Sequence, residues 1–586
     1  MSKLSRQSTL MTSLLPLLLP SSALAIPVST FLGQRYAPKP IRFAPSTVSS
    51  FNESSLFVTG QKGPRCMQTA SSRPKDISED CLFLNIYTPT AALNGSVSPV
   101  PIMMWIHGGG WTAGSGNSYD GTKLASRQNI MVVAINYRLG NLGFYASEEL
   151  AKEPASLGST GGMNGIRDQI TALHWLHANA HRFGGDPKQL TIAGESAGAE
   201  SVCNLLIAPP AKGLFQRAII ESGPCIGYAG SELGWGAHPK SLALAASAKA
   251  MKNRTLAELR AVEDGYTLLG SGSGMDKVED SVDDYILPLL PGGSAAPAYS
   301  RFQNATLNAD AVLLGGNSFD GLESYYVKYE VNPLTHRMPE FLYHSAMNSH
   351  FGRNAKAVEA LYPTSRFASG TNGAAVQPIG DAGVICPTLE LANVLTSRGH
   401  RAYTYLFSYG PVCGDVMGHT MKLTGGPGWA SHASEIPWVF GTYDICYRNE
   451  SEVRLTQDMQ DLWGSFVRTG KPQAANLTWS AYESGRGNMM LLDLDARMVD
   501  GLKTRDCSGL LAINSTFWPN TAQKTVVEDM EPRAPSLPPP PPSYWACLDA
   551  AARQSYKFCN TSVPLDDRVA DFVGRLTLDE KIKMLS

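Results

Sequence analysis

Gly194-Glu195-Ser196-Ala197-Gly198 follows the apolar run Leu190-Thr191-Ile192-Ala193 and precedes a stretch of small residues. The pattern reads as a strand, a sharp turn and a helix start with a serine at the apex, the arrangement of a nucleophile elbow. The flanking glycines fit that reading because only small residues are tolerated where strand and helix approach around a strained serine. Upstream, Ile102-Met103-Met104-Trp105-Ile106 is a buried-strand run ending in His107-Gly108-Gly109-Gly110-Trp111. That glycine-rich loop can bring backbone N–H groups close to a reacting carbonyl. The predicted oxyanion hole consists of the N–H groups of Gly109, Gly110 and Ala197, the last being the residue after the nucleophile.

A serine hydroxyl needs a base to take its proton, and the base needs a carboxylate to fix its tautomer and balance its charge. In chains with this elbow the order is serine, acid, histidine, each at the end of a strand. Ala311-Val312-Leu313-Leu314 runs into Gly315-Gly316-Asn317-Ser318-Phe319-Asp320-Gly321 and places Asp320 in a strand-end loop as the acid, with Glu323 the nearby competitor. His432 lies in Trp429-Ala430-Ser431-His432-Ala433-Ser434-Glu435-Ile436-Pro437, bordered by glycine and proline, and is the predicted base. His419, in Gly418-His419-Thr420, lacks the downstream acid and aromatic pattern and is the rival. Glu195, beside the nucleophile, either tunes the site electrostatically or packs under the elbow.

The elements that must hold these groups alternate in type. Ile130–Ile135 is a continuous apolar run, as expected of a strand buried on both faces of a parallel sheet. A helix is predicted from Asp168 to Arg182, ended by Phe183-Gly184-Gly185-Asp186-Pro187, and Gln189–Ile192 begins the strand feeding the elbow. Arg217–Glu221 is a further short strand. This succession predicts an α/β chain with a doubly wound, mostly parallel sheet and catalytic loops at the strand C-termini. His174, His177 and His181 lie near metal-ligand spacing, but no acidic or cysteine ligand is spaced to complete a site, and Leu173, Trp175 and Leu176 indicate a packed helix. No metal or organic cofactor is required.

The chain has 586 residues, of which 43% are hydrophobic and 17% charged, enough to bury a large core. Its formal net charge of −2 gives no footprint for nucleic acid or an anionic membrane, and leaves small neutral substrates open. Residues 1–25 read as a secretory signal peptide: Lys3 and Arg6, an apolar segment from Leu10 to Leu19, then Ala23-Leu24-Ala25 as the cleavage site. The apolar segment falls short of the roughly 20 residues a spanning helix needs. With secretion, the ten cysteines point to disulfides. Cys66 and Cys81 bracket a short polar segment where a bridge would close a surface loop. Pairings among Cys203, Cys225, Cys386, Cys413, Cys446 and Cys507 stay open, and Cys547 with Cys559 is suggested by proximity alone. Asn52, Asn94, Asn253, Asn304, Asn449, Asn476, Asn514 and Asn560 each begin a glycosylation acceptor.

These motifs, with Arg42-Phe43-Ala44-Pro45, Glu79-Asp80-Cys81-Leu82, Asn136-Tyr137-Arg138-Leu139, Glu221-Ser222-Gly223, Asp284-Tyr285-Ile286-Leu287-Pro288 and Trp463-Gly464-Ser465-Phe466, resemble the type-B carboxylesterases, a family that includes cholinesterases and the larger fungal lipases. The resemblance implies the α/β-hydrolase fold, a Cys66–Cys81 bridge and hydrolysis of carboxylic esters through an acyl-serine. It covers residues of roughly 26 to 520, and the domain is expected over 26–525. Against the family pattern, the acid is Asp320 where glutamate is usual. The segment between Cys66 and Cys81 lacks the cation-binding tryptophan of cholinesterases and the apolar lid of the fungal lipases. The rival reading on the same fold is a non-catalytic binding or adhesion protein. Beyond the domain, residues 526–546 form a Pro-rich, stiff linker. Residues 547–586 are similar to the opening segment of β-xylosidase-type glycoside hydrolases, without the barrel or its carboxylates, so a truncated fusion or mis-joined gene is suspected.

Overall fold

The computed structural model describes residues 26–50, 60–69, 73–226, 240–269, 286, 298–321, 338–367, 369–410, 430–442, 449–475 and 477–513. Ten strands make one sheet: β1 (Val28–Arg35), β2 (Phe83–Pro89), β3 (Val100–Ile106), β4 (Met131–Ile135), β5 (Gly185–Glu195), β6 (Arg217–Glu221), β7 (Ala311–Asn317), β8 (Arg401–Phe407), β9 (Met489–Leu492) and β10 (Arg497–Val499). Their order is β1-β2-β4-β3-β5-β6-β7-β8-β9-β10. Every pairing from β4 through β9 is parallel, and β1, β2 and β10 are joined antiparallel at the two edges.

Parallel strands are covered by helices on both faces, which is why the central ones read as unbroken apolar runs. Along β3 the side chains of Ile102, Met104 and Ile106 enter one core while Met103 and Trp105 enter the other. Val312 and Leu314 of β7 divide from Ala311 and Leu313 in the same way. The first core is closed by α1 (Asn164–Asn179) and α2 (Ala197–Ile207), through Leu173, Leu176, Val202 and Leu206. Further along the chain, α3 (Thr371–Gly380) passes through a single π-helical turn, Asp381–Ile385, into α4 (Cys386–Ser397). The second core is closed by α5 (Glu450–Thr469), whose Leu455, Met459, Leu462 and Trp463 line its buried stripe. A capping box of Asn449 and Glu452 starts α5, and Gly470 in the left-handed region ends it. The last described helix, α6 (Thr504–Ile513), returns to the first core.

The predicted helix over 168–182 starts earlier and stops sooner than expected. Asn164 and Gly165 open α1, where Asn164 Nδ2 donates to Phe43 O. His181 falls in the 3-10 turn Ala180–Phe183. His174 is exposed, and a ring nitrogen of His177 lies 2.8 Å from Leu214 O. Strand β5 is longer than predicted, taking in Gly185-Asp186-Pro187.

Three disulfides join Cys66–Cys81, Cys203–Cys225 and Cys386–Cys507. The first is the bridge expected from the sequence. The second ties α2 to the segment after β6, and the third ties the start of α4 to α6. Cys413, Cys446, Cys547 and Cys559 lie outside the described residues, as do residues 1–25 and 514–586. Among the described residues no helix is long and apolar enough to cross a membrane.

Candidate active site

Strand β5 delivers Ser196 at the C-terminal edge of the sheet. The serine has φ +57°, an unusual conformation for a non-glycine residue. The elbow is too tight for side chains at its flanks. A Cβ on Gly198 would sit 2.0 Å from Ile106 O, and one on Gly194 would sit 2.5 Å from Gly198 C. Ser196 N donates to Glu221 O at 3.0 Å, pinning the turn to β6. Ala197 opens α2, so its N–H belongs to a helix N-terminus.

The glycine loop comes off β3, next to β5, and packs on the serine. A Cβ on Gly108 would meet Ser196 Cβ at 3.0 Å and Glu195 O at 2.8 Å. Gly109 and Gly110 have φ of +107° and +58°, backbone conformations that glycine adopts without a Cβ penalty. Side-chain contacts help to hold the loop. Trp111 Nε1 donates to Ser201 Oγ on α2 at 3.0 Å, His107 Nδ1 lies 2.8 Å from Gly108 O, and the His107 ring stacks on Tyr137 at 4.4 Å. Burial pushes the His107 imidazole down to about 4, so it stays neutral.

The loops bearing Asp320 and His432 meet beside the elbow. Phe319 N donates to Ala430 O at 2.9 Å, and Phe319 pairs in parallel with Ser431. This bridge sets Asp320 against His432: Nδ1 lies 2.9 Å from Asp320 Oδ1, while Nε2 lies 3.1 Å from Glu195 Oε1, on the residue preceding Ser196. The imidazole therefore spans from acid to elbow, and its side chain is only 8% exposed. Asp320 Oδ2 accepts from Asn317 N at 2.6 Å and from Ser222 Oγ at 3.1 Å. One of these residues, Asn317, also reaches a second carboxyl, which Tyr405 meets from β8. Asn317 Nδ2 donates to Glu435 Oε2 at 2.7 Å, and Tyr405 OH donates to Glu435 Oε1 at 3.1 Å. Glu323 and His419, the weighed competitors, lie outside the described residues.

Ser222, Asn317, Tyr405 and Glu435 were not singled out as site residues from the sequence. Ser222 follows β6, Asn317 ends β7, Tyr405 is on β8 and Glu435 follows the histidine. They converge only through strand order. One local signal existed, since Glu435 lies three residues after His432.

Four buried carboxyl groups, Glu195, Glu221, Asp320 and Glu435, crowd this floor. Burial, then the neighbouring Glu435, holds the Glu221 carboxyl well above its ordinary range, while Trp463 Nε1 donates to its Oε1 at 2.7 Å. Burial, then the Asp320 carboxylate, raises Glu435 to about 7. A carboxyl whose folded-state pKa lies above its unfolded value contributes stability that is full below the unfolded pKa and lost as pH climbs through the folded one. Wild-type protein should therefore lose thermal stability between pH 5 and pH 8, values that bracket the raised pKa of about 7, and Glu435→Gln should flatten that loss. Melting temperatures of both proteins across the range test this; parallel curves would refute it.

Sheet order, elbow and converging loops together define the class, an α/β-hydrolase. The Carboxylesterase family profile matches residues 19–509, and the chain belongs to that family of carboxylic ester hydrolases. Mouse carboxylesterase 1E is 30% identical over 537 residues, covering 84% of this chain and 89% of the relative. Human carboxylesterase 5A is 29% identical, covering 82% and 84%. A solved PNB esterase superposes with a TM-score of 0.63 at 26% identity, over 82% of this chain and 96% of that one.

Proposed function

We propose that this carboxylesterase is a secreted serine hydrolase that works through an acyl-serine on small neutral esters. Ser196 Oγ attacks the ester carbonyl carbon as His432 Nε2 takes its proton, and the N–H groups of Gly109, Gly110 and Ala197 receive the oxyanion. Asp320 holds the imidazole in the tautomer that leaves Nε2 able to accept. The tetrahedral adduct collapses, the C–O bond to the alcohol breaks, and the proton on Nε2 passes to the leaving oxygen. Water repeats the cycle on the acyl-enzyme, delivering its proton to Nε2 and restoring Ser196.

The observation that carries this reading is the imidazole held at Nδ1 by Asp320 with Nε2 at the elbow. Asp320 is a methylene shorter than the family's usual glutamate, yet its Oδ1 lies 2.9 Å from His432 Nδ1 while Asn317 N and Ser222 Oγ donate to its Oδ2. The disulfides fit an oxidising compartment and so support secretion after removal of residues 1–25. Residues 26–525 form the catalytic domain, and the linker 526–546 and tail 547–586 take no part.

A fluorophosphonate probe tests the chemistry. One adduct on the Ser196 peptide is expected, together with hydrolysis of p-nitrophenyl acetate and butyrate. An unlabelled, inactive protein would instead favour a binding protein on the same scaffold.

Asn94, Asn253, Asn304 and Asn449 are exposed acceptors. In protein expressed in a eukaryotic host with residues 1–25 in place, enzymatic deglycosylation in heavy-oxygen water should convert them to labelled aspartate. Four unlabelled peptides would count against passage through the secretory pathway.

A further inference from the structure

Behind the acid loop lies a chain of buried polar contacts that the proposed chemistry does not use. A Cβ on Gly316 would meet Asp320 Oδ2 at 2.4 Å, Ile385 Cδ1 at 2.9 Å and Val384 Cγ1 at 3.0 Å, so Gly316 is packed between the acid and the π-helical turn 381–385. Gly321 and Gly380 approach with the same closeness, since a Cβ on Gly321 would sit 2.5 Å from Gly380 N. Single π-turns within helices recur at functional sites. Here the turn places Asp381, fully buried, at the centre of a cluster.

Lys503 Nζ donates to Asp381 Oδ1 at 2.8 Å and to Oδ2 at 3.1 Å, and Tyr362 OH donates to Oδ2 at 3.0 Å. Gln377 Nε2 lies 3.0 Å from Asp381 Oδ1 and 2.8 Å from Ser318 O, the carbonyl two residues before Asp320. Lys503 is itself only 7% exposed. It directly precedes α6, which is held by Cys386–Cys507 and by Arg366, whose guanidinium donates twice to Asp506 at 2.7 Å. A surface ion pair would need none of this. A buried one costs desolvation that a packed apolar pair would avoid.

We propose that Lys503, Asp381 and Gln377 are positioning residues for the catalytic acid: they set the loop 318–320 in register from the C-terminal helix α6, through the π-turn. The proposal rests on Asp320 acting as the acid. Its physical content is that Gln377 is oriented by an acceptor at Asp381 whose place is fixed by the Lys503 ammonium. Without that acceptor the Gln377 amide can turn away from Ser318 O, and Asp320 loses the backing that keeps Oδ1 on His432 Nδ1. The imidazolium formed during turnover is then less stabilised.

Gln377→Met and Lys503→Met test it with p-nitrophenyl butyrate. The first keeps the Lys503–Asp381 pair and removes only the link to the loop. Each folded variant should lose kcat by about 10-fold or more, with KM little changed. The acid limb of its kcat/KM profile should move to lower pH, because a histidine less well paired with its carboxylate binds its proton more weakly. A folded Gln377→Met enzyme with wild-type kcat and an unmoved acid limb would overturn the proposal, even if its melting temperature fell. So would a kcat loss without the shift of the limb. Should Lys503→Met fail to fold, Gln377→Met decides alone. Fluorophosphonate labelling of the unaltered enzyme separates the two levels: if Ser196 is not labelled, the catalytic reading fails first, whatever these variants do.

Discussion

Ser196→Ala should lower kcat for p-nitrophenyl esters by about four to six orders of magnitude, the range seen when the nucleophile of a serine–histidine–acid site is removed. The backbone N–H groups of Gly109, Gly110 and Ala197 remain, so a small rate above the uncatalysed reaction should persist. The fold should be intact, with stability changed by only about 1 kcal/mol, because Ser196 Oγ caps no helix N–H. The strained φ of +57° stays with alanine in place, and the elbow glycines are untouched. Hydrolysis unaltered by the substitution would show that the activity arises elsewhere in the molecule.

Asp168→Ala should act through stability, and nearly as severely. Arg138 Nε and Nη2 donate to the two oxygens of Asp168, both at 2.7 Å, and Arg138 N adds a third bond at 3.1 Å. The Asp168 side chain is fully buried and that of Arg138 is 6% exposed. Removing the carboxylate strands a guanidinium inside the protein, at a cost of about 3–5 kcal/mol. By contrast, the Arg260–Glu153 pair is exposed to about the same extent on each side, 27% and 29%, and its loss should cost under about 1 kcal/mol. Guanidinium unfolding curves of the two alanine variants, Asp168→Ala and Glu153→Ala, measure the difference. Equal shifts would mean that Arg138 finds a new partner.

What could be read from the chain alone followed from local rules. Gly194, Gly198 and the run His107–Gly110 announce themselves because a strained turn permits few residue types, and Ile102–Ile106 because a doubly covered strand has no polar face. Asp320 and His432 were legible as strand-end loop residues. The polar shell around them was not. Ser222 and Asn317 are ordinary residues until β6 and β7 lie side by side, and their partners are set by strand order rather than spacing. Likewise, Cys203–Cys225 and Cys386–Cys507 follow from how α2 and α6 dock, which no interval between cysteines encodes. The start of α1 was missed because Asn164 and Gly165 are poor helix formers; their places are set by tertiary contacts, with Asn164 held by Phe43 O and Gly165 packed on the Phe144 ring.

The pairing of the cysteines has a consequence for a nicked enzyme. Cys66, Cys81, Cys203 and Cys225 are satisfied among themselves, and every other cysteine lies after residue 380. A single cut between residues 322 and 337 would thus leave two fragments with no covalent tether, one bearing Ser196 and Asp320 and the other His432. In native buffer β7 and β8 stay zipped along seven residue pairs. A protease-clipped sample would run as one species by gel filtration and as two bands in detergent without any reductant.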